Sequence, residues 1–105
     1  MFVSARDRYL WTTYGLREHD YVRLLEAQGG VCAISGRPGG TRSLHVDHLH
    51  VPRYKAMPPE MKRLYVRGLL AYRMNKGIGW FSDNSEWLSN AARYVDDWPA
   101  SKVLT

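Results

Sequence analysis

Residues 44–50 read LHVDHLH and residues 67–79 read RGLLAYRMNKGIG, and the fold turns on how these two stretches are read. In the first, Leu44, Val46 and His48 fall on one side of an extended chain, which predicts a strand over SLHVDHLHV. VRGLL, at the head of the second, has the length and composition of another short strand. AYRMNKGIGWF then reads as the start of a helix that Gly77 and Gly79 cut short. A hairpin feeding a helix buries little by itself, so the elements on either side must wrap it.

Three of the four histidines crowd into the first stretch beside an aspartate. Asp47 is a hard oxygen ligand of the kind that suits magnesium or manganese. His48, with an ordinary imidazole pKa of about 6.5, can take a proton from water at neutral pH. His50 can donate to a phosphate oxygen. In an ideal strand Asp47 and His48 point to opposite faces, so they serve one site only where the strand ends or turns between them. Pro52 supports an end to pairing there. The plain alternative is three surface imidazoles and a turn aspartate. Zinc held by the histidines would need more soft ligands than the sequence supplies.

Outward from this centre, Ser4 to Thr13 predicts a short helix with Ser4 as its N-cap, which Gly15 breaks. Glu18 to Ala27 predicts a second: Tyr21, Leu24, Leu25 and Gln28 recur at three- and four-residue spacing, and Gly29–Gly30 ends it. PRYKAMPPEMKRLY reads as a polar loop with a helical turn after Pro59. SDNSEWLSNAARYVDDW is the clearest helix, capped at Asn84 or Ser85. Its expected buried stripe is Trp87, Leu88, Ala91, Ala92, Tyr94 and Val95, and Pro99 is expected to stop it. The expectation is an α+β chain, mostly helical, as one domain over residues 1–105. N-terminal helices take about 4–28, the hairpin-and-helix core about 44–80, and a C-terminal helix about 85–97.

A net charge of +5 and a pI of about 9.6 point towards a polyanion as partner. The excess is local. Arg53, Lys55, Lys62, Arg63, Arg67, Arg73 and Lys76 face a single acid, Glu60, so residues 53–76 carry +6 and the remainder −1. These seven are the candidate nucleic-acid contacts, with an acidic protein or a membrane surface as the alternative partners, and Arg67, Arg73 and Lys76 lie nearest the histidine stretch along the chain. One cysteine, Cys32, excludes an internal disulfide and a four-thiolate zinc site. No apolar run approaches the roughly 20 residues of a membrane span, and nothing at the start reads as a leader, so a soluble, cytoplasmic protein is expected.

YGLREHDYVRLLEAQGGVCAISG, LHVDHLH, VRGLLAYRMNKGIG and DNSEWLSNAARYV, in that order from Tyr14 to Val95, resemble the phage recombination endonuclease VII family. That family belongs to the His-Me finger, HNH-like ββα-metal nucleases. The resemblance implies a ββα-metal motif wrapped by flanking helices. It implies Asp47 and Asn75 as ligands of one Mg2+ or Mn2+, His48 as general base, and His50 as the contact to the scissile phosphate. The implied activity is nicking of branched or distorted DNA such as Holliday junctions during phage recombination or packaging, by a homodimer, leaving 5′-phosphate and 3′-hydroxyl ends. A nicking enzyme on ordinary duplex DNA and a non-catalytic DNA-binding module are the alternatives.

The chain departs from the family at the structural zinc. The first Cys-x-x-Cys pair maps to Cys32 and Ser35, the second to Ala71 and Met74, so no structural zinc is expected. An apolar plug at Ala71 and Met74, a buried Cys32, and a core enriched in tryptophan and tyrosine are the expected compensation. The segment from Val51 to Tyr65 is longer than the family's usual link between the two strands.

Overall fold

A computed structural model describes residues 1–104. The chain forms two compact units, Met1–Tyr72 and the residues from Arg73 onward. It is α+β and mostly helical, with one small antiparallel sheet.

In the first unit, α1 spans Ala5–Tyr14 and starts where expected, with the Ser4 hydroxyl accepting from the Asp7 N–H at 2.9 Å. Gly15 ends it at φ 72°, its N–H returning to the Trp11 carbonyl at 2.8 Å. A side chain at Gly15 would be doubly excluded, because an added Cβ would lie 1.9 Å from the Pro59 carbonyl oxygen. Helix α2 spans Glu18–Ala27; Asp20, in its first turn, accepts from the Arg17 N–H at 2.9 Å. Its Tyr21, Leu24, Leu25 and Gln28 are buried or half-buried, as the spacing implies. The Gln28 amide does more than end the helix. It accepts from the Leu69 N–H at 2.8 Å and donates to the Leu69 carbonyl at 2.9 Å, tying α2 to the sheet.

The sheet pairs β1 (His45–His48) with β2 (Val66–Leu70). Between them the chain makes a 3₁₀ turn at Tyr54–Ala56, the short α3 (Pro59–Lys62) and a second 3₁₀ turn at Arg63–Tyr65. The long segment is therefore largely folded, and α3 packs back on α1. Two ion pairs pin this arrangement. Arg63 grips both oxygens of the buried Asp20 at 2.7 and 3.0 Å, and Arg17 does the same to the buried Asp7. Arg63 holds the Asp20 carboxyl down to about 2, and Arg17 pushes Asp7 well below the usual carboxylate range. The core is aliphatic: Leu10, Leu16, Leu44, Val46, Leu69 and Leu70, with Tyr21 and Cys32.

In the second unit, α4 (which begins at Tyr72) runs to Trp80, α5 spans Ser85–Asp96 and α6 spans Ala100–Val103. Asn84 caps α5 as expected, accepting from the Trp87 N–H at 2.9 Å.

Several expectations are corrected. Helix α4 is not cut short, since it runs through Gly77 and Gly79 to Trp80; glycine weakens a helix by about 1 kcal/mol without forbidding it. The α5 stripe is not buried: Trp87 is 53%, Tyr94 64% and Val95 69% exposed. A unit this short lies below the roughly 40 residues at which a chain begins to enclose a core. For the same reason Trp80, Trp87 and Trp98 are exposed rather than filling the interior. Helix α5 ends at Asp96, three residues before Pro99, and Pro99 then caps α6.

Candidate functional site

The pairing of β1 with β2 is irregular at Asp47 and His48. Asp47 pairs with Gly68 but His48 pairs with Val66, so Arg67 is an extra residue bulged out of β2. A bulge twists the strand and re-aims the side chain it carries. The strand does not end between Asp47 and His48; pairing continues to Leu49, whose N–H donates to the Tyr65 carbonyl at 2.8 Å.

The re-aimed side chain meets the aspartate. Arg67 grips Asp47 with two hydrogen bonds, Nε to Oδ2 at 2.7 Å and NH2 to Oδ1 at 3.1 Å. Asp47 is only 5% exposed, while the Arg67 side chain keeps 35% of its surface. An ionised carboxylate that deep requires a paired cation, and the planar guanidinium meets both oxygens at once.

Aromatic rings surround His48. The Tyr54 ring stacks on it at 4.1 Å between centroids and 18°, and His50 stacks at 5.1 Å and 17°. Tyr14 closes from the side at 5.9 Å and 54°. Tyr54 is itself fixed, its hydroxyl donating to the Thr13 carbonyl at 2.8 Å, with the Lys62 ammonium 5.6 Å from its ring. Burial raises the Tyr54 phenol and pushes Tyr14 up to about 12, so both rings stay neutral. The imidazole of His48 thus has its plane set on three sides, while His50 remains exposed.

The expected DNA contacts fall into groups. Arg53 and Lys55 are exposed beside Tyr54, with Arg53 in the left-handed region at φ 62°. Lys62 is 8% exposed and donates to the Thr12 carbonyl at 2.7 Å; Arg63 grips Asp20, and Arg67 grips Asp47. Arg73, Asn75 and Lys76 lie on α4 in the second unit, where Asn75 is half-buried together with Met74 and Ile78. Cys32 is 1% exposed. Burial pushes its thiol up, but hydrogen bonds from Ser35 and the backbone of Ala71 and Ile34 outweigh this and hold it at about 7.

Sequence reasoning missed two features. Tyr54, the platform beneath His48, lies in a segment read as a polar loop. The clasp between Arg67 and Asp47 had a signal: a carboxylate in a strand whose neighbours Val46 and Leu44 are apolar needs a cation, and β2 offers one. Among the described residues no group of three or more His, Cys, Asp and Glu side chains is placed to hold a metal ion. None of their helices is long and apolar enough to cross a membrane.

The family model described as recombination endonuclease VII matches residues 7–97. The chain is 37% identical to the Gene 59 protein of Mycobacterium phage D29 over 110 aligned residues, and 34% identical to the Gene 59 protein of Mycobacterium phage L5. Each alignment covers 98% of this chain and 60% of the relative, so the chain spans about three fifths of the length of the curated relatives it matches. No solved structure gives a significant match.

Proposed function

The chain belongs to the recombination endonuclease VII family, and on that premise we propose that it is a divalent-metal-dependent DNA endonuclease that nicks branched or distorted duplexes such as Holliday junctions. The observation that carries this reading is the fixed imidazole of His48, one residue from a buried carboxylate and stacked with a second, exposed histidine.

The donor set suits a hard cation. Arg67 uses one lone-pair direction on each Asp47 oxygen, and a carboxylate has about four, so acceptor capacity remains. Asp47 and Asn75 would hold Mg2+ or Mn2+, with the single cysteine leaving no set of thiolates for a structural zinc. Such an ion, when bound, supplies positive charge against the developing charge on the phosphate and the leaving oxygen.

His48 orients the attacking water and accepts its proton as the oxygen–phosphorus bond forms. The bond from phosphorus to the 3′ oxygen breaks, and that oxygen is protonated from solvent. The strand is left with a 5′-phosphate and a 3′-hydroxyl. His50, exposed beside His48, donates to a phosphate oxygen. Tyr54, Tyr14 and His50 contribute orientation by restricting the ring of His48. Resolution of a junction requires two paired cuts, for which two copies of the chain act together in the host cytoplasm.

The test is incubation of the full chain with a four-way junction and a linear duplex, each with magnesium and with chelator. Magnesium-dependent, branch-selective nicking is expected. His48→Ala should lower the cleavage rate by about 10²–10⁴-fold with DNA affinity unchanged. Equal cutting of both substrates would replace the junction reading with duplex nicking. Binding without any cleavage would leave a DNA-binding module.

A further inference from the structure

A cavity of about 300 Å³ opens between α1, α2 and the start of β1, and Tyr14, whose ring also meets His48, is among its walls. That volume lies at the lower end of the range for ligand sites, about 300–1,000 Å³. Its walls combine two guanidinium groups, Arg6 and Arg42, with the rings of Tyr9, Tyr14, Tyr21 and His45. Among the described residues no carboxylate lines it, and neither Arg6 nor Arg42 forms an ion pair.

The rings are set in place rather than loose. Tyr21 donates its hydroxyl to the Leu44 carbonyl at 2.6 Å and carries the Arg6 guanidinium 4.7 Å above its ring. Tyr9 meets Tyr14 edge-on at 6.3 Å and keeps 55% of its own surface exposed. Uncompensated cations beside aromatic faces select a ligand that is anionic at one end and flat and unsaturated at the other. A nucleotide has that composition, and stacking on aromatic side chains with phosphates held by arginine is how single strands are bound. A base inside an intact duplex cannot enter a cavity, because both of its faces are covered by neighbouring bases.

We propose that the cavity walled by Arg6, Arg42, Tyr9 and Tyr14 is a binding site for an unstacked nucleotide of a DNA strand. This inference rests on the nuclease reading for its purpose: Tyr14 borders the cavity and its ring lies 5.9 Å from that of His48, so the cavity lies near the imidazole. Branch points and strand ends, where bases are unpaired, supply such a nucleotide. The site would make branched DNA a better substrate than linear duplex without reading any base sequence.

The test uses the full chain in chelator, so that nothing is cut, with fluorescein-labelled hexathymidylate followed by anisotropy. Thymidine monophosphate, inorganic phosphate and an acidic hexapeptide serve as competitors. Hexathymidylate is expected to bind, with thymidine monophosphate competing better than phosphate and the peptide competing poorly. Arg6→Ala with Arg42→Ala should reduce the slope of log affinity against log salt by about 1.4, or roughly 0.7 per lost contact to a single strand. Tyr9→Ala should weaken binding by roughly 5- to 150-fold, the range for loss of one base–aromatic stack. Arg6, Arg42 and Tyr9 are exposed, so the variants keep the fold, which circular dichroism checks. An unchanged salt slope in the arginine variant, or equal competition by the peptide, would overturn the proposal. If the wild-type chain cuts no DNA yet these substitutions still weaken hexathymidylate binding, the nuclease reading falls and the strand site stands.

Discussion

Replacing Arg67 with glutamine isolates the pair on which the site's geometry depends. The substitution leaves the Asp47 carboxylate, 5% exposed, without the guanidinium that now meets both of its oxygens at 2.7 and 3.1 Å. Removing one partner of a buried ion pair costs about 3–5 kcal/mol, because the charge left behind has lost both water and counter-charge. The Arg67 side chain retains 35% of its surface, so water reaches part of the gap and the low end applies, about 3 kcal/mol. Urea unfolding followed by far-ultraviolet circular dichroism, in chelator, measures this directly. A divalent cation supplies the missing charge. Magnesium or manganese should therefore stabilise Arg67→Gln more than it stabilises the wild type, by the mass-action increment that tighter binding brings. Asp47→Asn combined with Arg67→Gln should recover much of the stability and abolish the cation effect, which is the coupling expected of residues in contact. A loss below about 1 kcal/mol, the range of exposed pairs, would refute the claim that Asp47 is a buried charge held by Arg67. Equal stabilisation of both proteins by the cation would refute the claim that arginine and metal share one carboxylate.

Tyr54→Phe keeps the stack on His48 and loses only the hydrogen bond to Thr13, so stability should fall by about 1 kcal/mol with cleavage nearly unchanged. Tyr54→Leu removes the platform, and the cleavage rate should fall at saturating DNA while affinity is kept; an unaltered rate would show that the ring does not position His48. Gly15→Ala places a Cβ against the Pro59 carbonyl at a left-handed φ, and should destabilise by about 2–5 kcal/mol in a thermal melt. Asp20 has its pKa lowered to about 2 by Arg63, so its contribution to stability is complete above about pH 4 and is lost as pH falls towards 2. Acid unfolding of Arg63→Met should show a weaker dependence across that window; an unchanged profile would place the acid sensitivity elsewhere.

The sequence carried more of the fold than of the site's geometry, and the division follows the range of the interactions involved. Helices α1 and α2 and the cap of α5 were legible because their determinants are local: Ser4, Gly15, Gly29–Gly30 and Asn84 act within a turn of the chain they delimit. The two strands were legible from composition and alternation, but the bulge at Arg67 was not. It depends on which residue of β2 lies opposite His48, and a register is a property of two segments together. From that one offset follow the orientation of Arg67 and its grip on Asp47. The platform under His48 was hidden for the same reason. Tyr54 lies in a stretch rich in proline and basic residues whose local pattern reads as a solvated loop, yet its position is decided by a hydrogen bond to Thr13, 41 residues away. Charge was misleading in the same stretch. Lys62, Arg63 and Arg67 belong to the basic run that suggests a polyanion, and each is turned inward onto a carbonyl or a carboxylate. Arg6 and Arg42 lie outside that run, yet they bring guanidinium groups without carboxylate partners to a cavity beside the imidazole. Net charge along a chain suggests a class of partner, while the pairing of each cation decides which of them are free to meet it.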